Sequence, residues 1–221
     1  MIEFAVEQVP RMLRAVPVTL GLWLLAISLG TVLGIVLGVG RVYAKVAISR
    51  VIAAYADVMR GTPMLVQMFV LYFGLPEVGL VLSPFTAAAL AIGLNSAAYQ
   101  AEYLRGAIEA LPRNQFEAGR AIGLGRTGTI VHVILPQALR LALPAWSNEV
   151  VVELHFTSIA FTIGVVELTG RAEKIGYETF RFFEAFLLCG AIYLVLTAVL
   201  VGLIHYLRNQ FAVPGLGDMA R

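Results

Sequence analysis

Residues 16–40 read VPVTLGLWLLAISLGTVLGIVLGVG and carry no charged side chain. About 20 consecutive apolar residues suffice to cross the hydrocarbon core of a bilayer as a helix. Such a stretch cannot coat a water-soluble domain, and inside lipid its backbone polar groups must be satisfied within the segment, which demands a helix. The rest of the chain agrees. Of 221 residues, 59% are hydrophobic and 14% charged, against roughly 45–50% and about 25% in ordinary soluble domains. Mean hydropathy is +0.84. These values exclude a disordered chain and a basic nucleic-acid binder. They predict an all-α polytopic membrane protein, read as a single transmembrane domain over residues 1–221.

Four more spans follow from the pattern: roughly 50–75, 83–106, Thr127 into the 150s, and 185–207. The second is interrupted by Gly61-Thr62-Pro63, which predicts a polar helical start, a break and an apolar continuation to Phe73. Ser83-Pro84 supplies a helix cap and first turn for the third. The opening MIEFAVEQVPRMLR places its acids before its bases and does not read as a cleavable signal, so the first apolar segment is expected to be retained. In that segment Gly30, Gly34 and Gly38 fall on one helical face and predict close approach of another helix. The lone Cys189 excludes an internal disulfide and reads as a small buried apolar residue.

Lys and Arg mark the cytoplasmic loops of membrane proteins. Arg41, Lys45 and Arg50 follow the first span; Arg105, Arg113, Arg120 and Arg126 follow the third. The short loop Pro76–Leu82 has none, and Arg171, Lys174 and Arg181 are outnumbered by Glu167, Glu173, Glu178 and Glu184. The first and third loops are therefore expected inside, the N-terminus outside and the C-terminus cytoplasmic. Arg11 and Arg14 count against that orientation.

The third loop, about 107–126, is unusual. LPRNQFEAGRAIGLGR has Phe116, Gly119, Ile122 and Gly123 on or near one face, with Glu117 and Arg120 elsewhere. A short amphipathic helix with small residues at its centre predicts docking into a groove of another protein rather than into lipid. Glu117-Ala118-Gly119, three residues, Gly123, nine residues, Val133, Ile134, Leu135-Pro136 closely resembles the EAA motif of ABC-importer permeases. The chain departs from it at Gly119 and Val133. Met59-Arg60-Gly61-Thr62-Pro63, Tyr99-Gln100-Ala101-Glu102 and Val166-Glu167-Leu168 are similar to the polar amino-acid branch. Ser147–Val150 and Leu154–Thr162 resemble histidine/lysine/arginine/ornithine and opine permeases, with His155-Phe156 where many of these have Lys-Asp.

The resemblance implies the type I ABC importer transmembrane fold in the bacterial inner membrane. It implies a second permease subunit, more readily a paralogue than an identical copy, two cytoplasmic ATPase subunits and an external solute-binding protein. Glu117, Ala118, Gly119, Gly123, Leu135 and Pro136 would then belong to the coupling helix and its return into the membrane. Gly123-Leu124-Gly125-Arg126-Thr127-Gly128 lacks the lysine of a phosphate loop, so ATP and magnesium are expected on the partner subunits, and no cofactor, metal or catalysis on this chain.

A charge at the bilayer centre costs about 2.5–3.5 kcal/mol on insertion scales and therefore faces protein or water. Glu153 and Glu102 are the candidates for a solute path, joined by Gln67, His155, Thr157 and Ser158 near predicted helix breaks, which are typical transporter binding elements. Glu153 is four residues from Glu149 on one face and is expected to supply negative charge for a basic amino acid or opine. Glu102 with Arg105, and Asp57 with Arg60, also fit local ion pairs. The competing reading is an ion-coupled transporter or channel for small polar solutes, which has no use for the loop helix.

Overall fold

A computed structural model describes residues 2–112 and 114–211. Arg113, one of the bases used above to orient the third loop, and the last ten residues lie outside the described residues.

The described chain is helical throughout. α1 (Ile2–Leu13) was not anticipated. It buries Phe4, Gln8 and Met12, one residue per turn, and exposes Ile2, Val6 and Leu13. α2 (Val16–Tyr43) is the uncharged segment, entered through Pro17 in its first turn. α3 (Val46–Gly61) and α4 (Met64–Phe69), which continues through wider and tighter turns to Val78, meet at a bend of 108°. The bend falls on Gly61-Thr62-Pro63, where the predicted break lies. α5 (Pro84–Ala110) is capped by Ser83, whose hydroxyl accepts from Thr86 N at 3.1 Å.

α2, the continuous run Arg126–Ile163 and α10 (Phe182–Phe211) are each long and apolar enough to span a membrane. α5 is not among these three, although its 27 residues at about 1.5 Å each exceed the hydrocarbon thickness. Its alanines, Asn95, Ser96 and Gln100 are buried among other helices and need no lipid-compatible surface. The glycine ladder explains its closest contact. A Cβ on Gly30 would stand 2.5 Å from Ser96 Oγ, one on Gly34 2.7 Å from Gln100 Cβ, and one on Gly38 2.9 Å from Leu104 Cβ. α2 and α5 therefore touch backbone to side chain along most of their length, the longest seam in the fold.

Beyond α5 come α6 (Asn114–Ala121), α7 (Arg126–Thr129) and α8 (Leu135–Phe156). α7 and α8 are joined by a π-helical turn, Ile130–Ile134. Pro136 accounts for it: proline has no N–H for the carbonyl of His132, and its ring crowds that carbonyl, so the helix widens by a residue. A 3-10 segment, Thr157–Ile163, closes this run with Gly164 at φ +94. α9 (Leu168–Thr179) packs on α1 and α10. Cys189 is buried there at 4% exposure, beside Leu168, Ala172 and Ile175.

Candidate functional site

Two places stand out: the loop helix at one end of the bundle and a buried polar seam within it.

α6 is fastened to the ends of the spans. The Phe116 ring stacks on Tyr43, at the end of α2, with centroids 6.1 Å apart. Gln137 Nε2 donates to Gln115 Oε1 at 3.2 Å, tying α8 to α6. Gly119 is buried, and a Cβ there would meet Thr129 Cγ2 at 2.6 Å. This corrects part of the sequence reading: the small residue at position 119 admits α7 of the same chain rather than offering its backbone to another protein. The anticipated single face also divides. Phe116 and Gly119 point into the fold, whereas Ile122 is 76% exposed. Gly123 ends α6 in the left-handed conformation, φ +84, while its N–H reaches Arg120 O at 3.0 Å and Leu124 N–H reaches Gly119 O at 3.2 Å. Glu117, Ala118 and Ile122 remain outward, Leu135 is half-buried, and Pro136 is exposed at the foot of α8.

Inside the bundle, Glu153 is fully buried, and neither carboxylate oxygen has a hydrogen-bond partner among the described residues. Gln100 is its polar neighbour across the α5–α8 contact, and donates to Ser96 Oγ at 2.7 Å. One turn back, Glu149 is buried at 4% exposure and accepts from the Tyr103 hydroxyl at 3.2 Å. The two carboxylates thus share one face of α8, turned toward α5.

The other candidates are elsewhere. Glu102 lies between two arginines, accepting from Arg41 Nε at 3.0 Å and from Arg105 Nε at 2.8 Å. Arg41 also donates to Ser49 Oγ at 3.2 Å, so the cluster ties α2, α3 and α5. His155, two residues from Glu153 and so on the opposite side of α8, is exposed and shares a hydrogen bond with Thr197 of α10 at 3.0 Å. Thr157 is buried and bonds Leu154 O at 2.7 Å; Ser158 bonds His155 O at 2.6 Å. Both hydroxyls therefore serve the helix end. Gln67 closes the 108° bend. Its Nε2 donates to Met59 O at 2.7 Å and to Thr62 O at 2.9 Å, and its Oε1 accepts from Asn95 at 3.2 Å. Gln67 also lines a small cavity with Val66, Leu71 and Leu94. Asp57 and Arg60 form no ion pair with each other among the described residues; Arg60 instead lies over the Tyr99 ring, 5.3 Å from its centroid.

Sequence reasoning assigned no role to Glu167, although Val166-Glu167-Leu168 entered the resemblance. It is fully buried, caps α9 through Thr169 N and Gly170 N at 2.8 Å each, and accepts from Tyr193 at 2.8 Å. An acid placed just before a helical stretch is a capping signal that could have found it.

Residues 30–212 match the family described as binding-protein-dependent transport system inner membrane component. The chain is 38% identical over 213 residues to the nopaline transport system permease protein of Agrobacterium fabrum (strain C58 / ATCC 33970), covering 92% of this chain and 88% of that one. It is 36% identical over 207 residues to the glutamine transport system permease protein of Escherichia coli (strain K12), covering 93% and 94%. Among solved structures, an amino acid ABC transporter crystallised with histidines superposes with a TM-score of 0.86 at 34% identity, over 95% of this chain and 98% of that one. The MetNI methionine transporter, at 21% identity and a TM-score of 0.73, shares the fold. The fold with its loop helix and the family match agree, and the chain belongs to the binding-protein-dependent inner membrane permeases, the multi-pass translocation components of ABC importers.

Proposed function

We propose that the chain is the permease subunit for import of polar, chiefly basic, amino acids or opines, moving them by alternating access. It pairs with a second permease, favoured as a paralogue, and with two cytoplasmic ATPase subunits that bind ATP and magnesium; an external binding protein delivers the solute. The loops after α2 and α5 face the cytoplasm, the N-terminus the outside, the C-terminus the inside. The chain acts as one transmembrane domain and holds no cofactor or metal itself.

The observation that carries this reading is the construction of α6. It is fastened to α2, α7 and α8 by Phe116, Gly119 and Gln115, yet presents Glu117, Ala118 and Ile122 outward. A helix held from behind and open in front can receive a push from an ATPase groove and pass it to the spans. Gly123 ends that lever, and Leu135-Pro136 returns the chain to the membrane. The cargo for which the relatives are named, nopaline and glutamine, supports a polar amino-acid solute.

Within the path, Glu153 supplies the negative charge; Gln67 stands apart from it at the bend, as do Thr157, Ser158 and His155 at the end of α8, with His155 on the far side of that helix. A buried carboxylate without a partner is costly unless a cation reaches it during the cycle. Glu102, held by Arg41 and Arg105, acts at the edge of the path by keeping the span ends together.

Reconstitution with the neighbouring ATPase and binding protein tests the reading. Uptake should require ATP, and ATPase activity should rise with the cognate amino acid; uptake driven by membrane potential without ATP would identify an ion-coupled carrier instead. Glu153→Gln should reduce arginine transport at least tenfold while sparing glutamine. Equal retention of both would remove Glu153 from cargo recognition.

A further inference from the structure

Between α6 and the ends of the spans lies a cavity of about 940 Å³, far larger than a free anion requires and at the upper end of ordinary ligand pockets. One wall is apolar, formed by Val42 of α2, Ile108 of α5 and Leu111 just past the end of α5. The Tyr43 and Phe116 rings close a second side as the stacked pair described above. Two guanidinium groups complete it, Arg120 from α6 and Arg126 from α7.

Charge in the cavity is unbalanced. Among the described residues Glu109 is the only acid lining it, and Glu109 Oε2 already accepts from Arg105 Nη1 at 2.6 Å. Arg120 and Arg126 form no ion pair among the described residues. Arg126 spends one nitrogen on Tyr43 O at 2.6 Å, which fixes the group and leaves its other donors available. Arginine forks match phosphate oxygens with paired hydrogen bonds. An apolar wall facing two unpaired guanidinium groups suits an anionic amphiphile: free phosphate would leave the wall unused, and a neutral lipid would leave the arginines unused.

Depth decides among amphiphiles. The cavity sits where α2 and α5 end, and on the proposed orientation those ends meet the anionic cytoplasmic leaflet. We propose that the cavity binds one anionic phospholipid, with Arg120 and Arg126 on its phosphate and the start of an acyl chain along Val42, Ile108 and Leu111. The inference rests on that orientation. Its mechanical consequence concerns α6: Phe116, Gly119 and Gln115 fasten that helix to the spans at separate points, and a bound lipid fills the space between them, so that the push α6 passes to α2 and α5 loses less to local deformation.

The test uses the permease in complex with its partner permease and ATPases, extracted from nanodiscs holding phosphatidylglycerol or phosphatidylcholine alone, with bound lipid counted by native mass spectrometry. The wild type should retain phosphatidylglycerol and not phosphatidylcholine. Arg120→Gln with Arg126→Gln should lower retention at least fivefold. Arg120→Gln alone, at an exposed position without a structural bond, should lower it about threefold with an unchanged melting temperature. Equal retention by wild type and both variants overturns the proposal. Displacement of the lipid by millimolar inorganic phosphate overturns it in favour of a free-anion site. Retention only after the ATPases are stripped away overturns it in favour of an ATPase seat. ATPase activity measured alongside keeps the two readings apart. If it stays deaf to amino acids in every lipid, the transport reading fails; if it responds to them equally with and without phosphatidylglycerol, the lipid has no part in coupling and the mechanical claim falls.

Discussion

α5 and α10 are both long enough to cross a bilayer, and they are built on opposite rules. α10 has a mean hydropathy of 2.7 over its most apolar stretch, of which only 6% is buried, and it turns Leu194, Val195, Val199 and Leu203 outward. α5 is too polar to count as a span by composition, yet it buries Ala87–Ala89, Asn95, Ser96, Gln100 and Ala101 at the centre of the fold. In water the apolar face is the hidden one. In lipid the apolar face meets solvent, and what is hidden can be small or polar provided it is packed and bonded. The most hydrophobic span of this chain is thus its outside, and buried polar groups collect along the more polar α5.

The largest effect should come from breaking the α2–α5 seam. In Gly34→Leu the new Cβ would lie 2.7 Å from Gln100 Cβ, with Ala97 O and Ala101 N at 3.4 Å. Backbone atoms cannot retreat without parting the helices, so a cost near 3 kcal/mol, the upper range for overpacking, is expected. Fluorescence-detected gel filtration after a temperature ramp should show a clear loss of folded protein; a wild-type melting curve would mean that the seam is looser than its geometry.

Next in size is Glu102→Gln, which leaves Arg41 and Arg105 with a neutral acceptor in a cluster that joins α2, α3 and α5. Breaking a fully buried pair costs about 3–5 kcal/mol. The Arg41 and Arg105 side chains are 21% and 31% exposed, so about 2 kcal/mol is expected. Glu109→Gln, which removes only the half-exposed partner of Arg105, should cost less than about 1 kcal/mol in the same assay. Equal losses would make the cluster an ordinary surface network.

Much of this contrast could be read from residues alone. A charge-free stretch is unambiguous in lipid, so α2 and α10 were legible, and the glycine spacing pointed to a seam. Gly61-Thr62-Pro63 announced the bend. The partner of the glycine ladder was not legible, because nothing in residues 30–38 names Ser96, Gln100 or Leu104. α1 escaped because its apolar residues are interleaved with Glu3, Glu7 and Arg11, and the surfaces that face buries against, chiefly α9 and α10, lie far off in sequence. At the site, spacing put Glu149 and Glu153 on one face and the structure agrees. It could not reveal that Glu102 sits between two arginines, since Arg41 is 61 residues away, nor that Gly119 receives Thr129.

A smaller and more local effect is expected at the end of α6. Gly123→Ala keeps open space around the new methyl but forces an L-residue to φ +84, at about 1 kcal/mol. The bonds from Gly123 N–H and Leu124 N–H to α6 should open more often, which amide hydrogen exchange over residues 119–124 would report as roughly fivefold faster exchange, with the global melting temperature little changed. Unchanged exchange would show that the turn tolerates the substitution, and that the end of α6 is fixed by Phe116 and Gly119 instead.

The smallest effect should come from repeating the first substitution on α10. A Cβ on Gly190 or Gly202 meets nothing within 4 Å. A leucine there enters lipid, where it is favourable by about 0.3–0.6 kcal/mol at a helix centre, so stability should stay within about 0.5 kcal/mol of wild type. The same change of glycine to leucine then costs several kilocalories in α2 and almost nothing in α10, because one face meets a helix and the other meets fluid chains. Measuring both variants first in the isolated permease and then in the assembled transporter sharpens the comparison. If Gly190→Leu is silent alone but blocks assembly, that face of α10 is where the second permease sits, and its apolar surface serves protein rather than lipid.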